Sequence, residues 1–204
     1  FTETELTEAA EKGGSFKLAN VLEDINDRIV SAESDFEIDL NRKPINGTRG
    51  FAVQAVTQKI SNGYINTTGS GESAIWSTYD GNAIVDNCEL TAYDYYTVYV
   101  SVGSRATVKD SKLFSGLSLA AIAHGENTVL TFVGSNIING DVVVKDGGKV
   151  IFSGNVTLQA FIKCDENSTV ICEAGTYNFD PTNYVDSEKF DITNDGSTWT
   201  VTAK

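Results

Sequence analysis

The 204-residue chain contains no methionine, one histidine, two prolines and an odd number of cysteines, three. Each shortage closes something off. A chain that starts at Phe1 without any methionine reads as a processed or trimmed piece, so a leader missing from its start carries no information about targeting. Cys88, Cys164 and Cys172 show no Cys-x-x-Cys spacing and are expected as small buried hydrophobes rather than a disulfide framework. One histidine and three scattered cysteines supply no zinc ligand pairs, and no metal or cofactor is expected. Basic residues are scarce as well, 15 against 28 acidic, and the formal net charge of -13 repels phosphate backbones, so nucleic acid is excluded as an expected partner. No apolar run approaches the roughly 20 residues that a membrane-crossing helix needs, and membrane insertion is not expected.

What the chain has is a sentence written twice. Residues 142–154 (VVVKDGGKVIFSG) and 162–174 (IKCDENSTVICEA) align so that Val142 meets Ile162, Val144 meets Cys164, Val150 meets Val170 and Phe152 meets Cys172, each 20 residues apart. Each half is an alternating run, a polar turn and another alternating run. Alternation means strand, and a fixed period near 20 means stacked units that bury their apolar faces only against neighbours. Ile60, Val85, Val108, Phe132, Phe152 and Cys172 extend the series at intervals of 25, 23, 24, 20 and 20 residues. The same template places Val98, Val100 and Val102 in one unit, and Ile122 in file with Val142 and Ile162. Turns rich in Gly, Asn and Asp, such as Ser61-Asn62-Gly63 and Gly134-Ser135-Asn136, follow the second strand of each unit.

The ends differ in kind. Thr2-Glu3-Thr4-Glu5 is a capping-box sequence, and Gly13-Gly14 stops the helix it starts, giving a short N-terminal cap over residues 1–14. Asp180-Pro181 suits a short helical turn, and Asn194-Asp195-Gly196 between two alternating runs signals a hairpin whose Phe190, Ile192, Trp199 and Val201 cover the other end. The expectation is one all-β domain over 1–204, a right-handed single-stranded parallel β-helix with coils over 15–179, an N-terminal helix cap and a C-terminal hairpin cap over 180–204.

Phe36 to Gly47 (FEIDLNRKPING), the repeats through Gly175, and Gly175-Thr176-Tyr177-Asn178-Phe179-Asp180-Pro181 resemble the pectate-lyase-type right-handed β-helices of bacterial surface and secreted proteins, over nearly the whole chain. The likeness is structural. It implies an extracellular, cell-surface or virion location and a non-catalytic module for adhesion or carbohydrate binding, with a glycan or a host or virion surface protein as partner. Its alternatives are a polysaccharide lyase or glycoside hydrolase, and a phage tail appendage.

Several constellations bear on that choice. Trp76 and Tyr99 are expected to face outward in register, with Tyr93, Tyr95 and Tyr96 in the loop between them. Such rings either stack on sugars or pack a loop or subunit contact. For an enzyme, Asp86 and Asp110 on adjacent coils with Arg105 nearby would have to converge. Ala123-His124-Gly125-Glu126 matches only two positions of the Gly-His-Gly segment of galacturonase-like enzymes. His124, in the column of Val102, Val144 and Cys164, is expected to point inward or sit at a corner in a structural role. Glu126, Asp146 and Glu166, 20 apart, form an acidic column that reads as a solvated edge rather than a calcium site, because calcium takes six or more oxygens.

Overall fold

A computed structural model of the chain describes residues 2–204. The alternating pattern does stack: the chain forms a parallel β-solenoid of about seven turns. Helix α1 (Glu3–Lys12) precedes the first coil, which comprises β1 (Gly14–Lys17), β2 (Leu22–Ile25) and β3 (Ile29–Ser31). The second holds β4 (Phe36–Asp39), β5 (Pro44–Gly47) and β6 (Phe51–Gln54); the third β7 (Thr57–Thr67) and β8 (Ile75–Thr78); the fourth β9 (Asn82–Ala92) and β10 (Val98–Ser101). Then come β11 (Arg105–Lys109) with β12 (Lys112–His124), the long β13 (Val129–Lys145), β14 (Lys149–Leu158) with β15 (Ile162–Cys164), and β16 (Thr169–Tyr177).

Every coil pairs in parallel with the next, and one inward file runs Phe16, Ile38, Ile60, Val85, Val108, Phe132, Phe152, Cys172 by direct register. Past the half-buried Phe16 its members are wholly buried, and the Phe132 and Phe152 rings stack with centroids 5.3 Å apart. Burying a side chain of this size contributes about 1.5–3 kcal/mol, so the file is the sequence's main folding instruction.

Both caps form as the sequence implies. Thr2 and Glu5 make the reciprocal capping box, while Leu6, Ala9 and Ala10 bury the inner face of α1. At the far end Thr182–Tyr184 form a 3₁₀ turn with Pro181 as its N-cap, and β17 (Phe190–Asn194) and β18 (Trp199–Ala203) make an antiparallel hairpin. Strand β18 also pairs antiparallel with β16, placing Val201 in the core with Phe190, Ile192 and Trp199 packed against it.

Gly134, Gly154 and Gly175 lie in register at one corner. A Cβ on Gly175 would sit 1.8 Å from the Gly154 carbonyl oxygen, and one on Gly154 would sit 2.5 Å from that of Gly134. Only glycine lets three backbones pass this closely, and the first two also have φ of 72° and 117°.

Four expectations fail, two of them by one position. β12 carries two register irregularities, between Phe114 and Leu119 and between Leu119 and Ala121. A one-residue slip reverses every side chain, so Ala121, not Ile122, stands in file with Val142 and Ile162. For the same reason His124 registers with Ser101 and Lys145 and faces outward. Val102 leaves the column entirely: its φ is 53° in the turn after β10 and it is 53% exposed. Cys164 keeps its register with Val144 but is exposed, because among the described residues β15 is registered only with β13 and has no further strand on its other side. Cys88 and Cys172 are buried free thiols as expected.

Candidate functional site

The outward residues of β8, β10 and β12 assemble a ladder of rings that climbs the solenoid. Trp76 and Tyr99 are directly registered, with centroids 6.3 Å apart and planes 13° from parallel. The outward shift of His124 places its imidazole over the other side of Tyr99, at 6.2 Å and 11°. The Tyr99 hydroxyl lies 3.0 Å from His124 Nδ1, and His124 Nε2 lies 3.0 Å from Asp146 Oδ2. Below Trp76, the Arg28 guanidinium sits 5.0 Å from the indole centroid, a cation–π contact, and is ion-paired with Glu72, which also holds Arg49 Nε at 3.2 Å. The indole N–H donates to Ser101 Oγ at 3.2 Å. Arg28, Trp76, Tyr99, His124 and Asp146 thus come from different coils, each held by a neighbour.

Tyr95 and Tyr96 brace the ladder from the side. Their rings lie 5.9 and 6.1 Å from that of Tyr99, Tyr95 nearly perpendicular at 77°. Tyr93 stands apart, 64% exposed and outside this stack. Burial, then the neighbouring tyrosines, pushes the Tyr99 hydroxyl above the usual phenol range, and burial does the same for Tyr96. This favours the neutral phenol of Tyr99. Between Arg28, Glu72, Ser73, Trp76, Tyr95 and Tyr99 opens a cleft of about 130 Å³. Arg28 Nη1, Glu72 Oε2 and Ser73 Oγ, on residues that line it, are buried without a hydrogen-bond partner among the described residues, so polar groups underlie the wall of an aromatic-walled cleft, the composition typical of small-molecule sites. Sequence reasoning found Trp76, Tyr95, Tyr96 and Tyr99 but missed Arg28, Glu72, Ser73, His124 and Asp146. Only the strand slip in β12 would have exposed the histidine.

Of the enzymatic constellation, Asp86 and Asp110 meet on one lysine while Arg105 stands apart. Asp86 is opposite Lys109, whose ammonium lies 3.3 Å from Asp86 and 3.8 Å from Asp110. Arg105 registers with Asn82 at the other end of β11, four residues from Lys109 and so about 13 Å away along the strand. Nor do the three acids stand in one column. The Asp146 N–H donates to Asp165 Oδ2 at 2.8 Å, and Glu126 stands over Gly147. The described residues contain no group of three or more acidic, histidine or cysteine side chains placed to hold a metal ion.

Fold and site together define a capped β-solenoid with an aromatic ladder on one outer face. No family model, curated protein or solved structure matches the chain.

Proposed function

We propose that the protein is a non-catalytic recognition module of a cell or virion surface, and that the ladder and its cleft take up a neutral portion of a glycan. The observation that carries this reading is the cleft walled by the Trp76, Tyr95 and Tyr99 side chains and lined also by Arg28 and Ser73, whose Nη1 and Oγ are buried without a hydrogen-bond partner among the described residues. Arg28 and Arg49 share the Glu72 carboxylate, so the Arg28 charge is partly offset and the wall of the cleft suits hydroxyl oxygens as hydrogen-bond acceptors. Coil-to-coil backbone bonding fixes the rings in advance, and recognition then costs little ordering entropy.

The Tyr99–His124–Asp146 chain has the outline of a proton relay, but the raised Tyr99 hydroxyl fits a positioning role. Acidic polysaccharides incubated with the protein, with or without calcium, should accordingly yield no unsaturated ends. In the direct test, Trp76→Ala/Tyr99→Ala keeps a native far-UV spectrum and loses binding to neutral glycans on an array; undiminished binding would put the site elsewhere.

A further inference from the structure

On a different face, β7, β9 and β12 border a polar groove of about 310 Å³. Its outer rail is a registered column, Pro44, Tyr64, Glu89, Lys112. Its inner rail is an amide ladder: Asn62 Nδ2 donates to Asp39 Oδ1 at 3.3 Å, and Asn87 Nδ2 donates to Asn62 Oδ1 at 2.9 Å. Each amide is thereby pinned in one orientation, and the Asn87 carbonyl accepts no hydrogen bond from any described residue. The Tyr64 ring is 42% exposed beside it.

The groove is closed at one end by an irregularity of the second coil. Asp39 opposes Ser61 and Pro44 opposes Tyr64, so residues 40–43 of the second coil span a corner that Asn62 and Gly63 turn in the third. The two extra residues lift Arg42 over the groove at φ 60°, a conformation that disfavours any residue with a Cβ. Its N–H is bonded to the Asn62 carbonyl at 2.6 Å, yet its guanidinium has neither hydrogen bond nor ion pair among the described residues. The other charges lining the groove have partners: Lys112 faces Glu89 at 3.8 Å, and Asp110 shares Lys109, at 3.8 Å, with Asp86. A single uncompensated cation therefore stands at one end of a trough of amides beside an open aromatic ring, with carboxylates farther along.

We propose that this groove binds the end of an oligosaccharide whose terminal sugar carries one carboxylate, of the sialic acid type. The carboxylate meets Arg42, whose fork suits it; the next, neutral sugar lies on Tyr64 and bonds Asn87. A polyuronate fits poorly, because its later carboxylates face Glu89 and Asp110. The test is titration calorimetry with sialyllactose, lactose and trigalacturonate. Sialyllactose should bind about tenfold or more tighter than lactose, and trigalacturonate should bind no better than lactose. Arg42→Gln should erase that preference, Tyr64→Ala should weaken sialyllactose and lactose together, and all variants should keep the parent melting temperature. Trp76→Ala/Tyr99→Ala should leave the preference for sialyllactose over lactose intact, which separates this groove from the ladder. Equal affinity for sialyllactose and lactose, a preference that survives Arg42→Gln, tight trigalacturonate binding, or no sialyllactose binding at about 10 mM would each overturn the proposal.

Discussion

Burial decides the behaviour of the three thiols. Desolvation pushes Cys88 up to about 11 and Cys172 up to about 12 from the ordinary 9.0. Cys164, at the exposed end of β15, is raised as well, by partial burial and then by Asp165. A native-state alkylation should therefore label one thiol, at Cys164, and three after denaturation. The stability consequence has a definite sign. Below about pH 9 the folded and unfolded chains both hold these protons. Above it the unfolded chain releases them while the folded chain does not, so each buried thiol lowers stability by up to about 1.4 kcal/mol per pH unit. The loss runs until pH passes about 11 for Cys88 and about 12 for Cys172. Urea midpoints should fall with alkaline pH from about 9, and Cys88→Ala/Cys172→Ala should flatten that fall.

Elements explain what could be read from the sequence and what could not. Strand β14 repeats β13 without interruption from Val129/Lys149 to Ile138/Leu158, so their spacing alone gave the file of Phe132 and Phe152. In β12 the alternation breaks twice over residues 114–121, and neither Gly116 nor Ser118 announces how many residues the break consumes. Reading across it reversed Ile122 and His124, and the histidine's place in the ladder was lost with them. Arg28 was illegible for another reason. It lies 48 residues before Trp76, a separation that only the stacking of coils closes. The hairpin, by contrast, was legible from Asn194-Asp195-Gly196, and its role can be tested. Val201 is 1% exposed beneath the last coil. Val201→Asp should cost about 3 kcal/mol or more by burying an unpaired charge. It should also free the edge of β16, and light scattering should then detect more self-association than in the parent.

At the scale of the molecule, each coil touches chiefly the coils before and after it, as in other linear arrays. Interior coils have two neighbours and the terminal ones depend on their caps. Amide exchange should accordingly be slowest in β9, β11, β13 and β14 and fastest in β1, β2 and β17, following a gradient along the axis. A flat exchange profile would mean that the coils open as one unit. The coil lengths, 22 residues through the bend bearing Arg42, 25 to 23 in the middle of the solenoid and 20 near the C-terminal end, also show where the chain spends its extra residues. The corner where Gly134, Gly154 and Gly175 cross leaves no room even for a methyl group, whereas the loop bearing Tyr93 and Tyr95 and the bend bearing Arg42 absorb added residues without disturbing the file beneath them. New specificities could thus be grafted, by nature or by design, onto those two sites while the glycine seam stays fixed beneath a surface that is free to diversify.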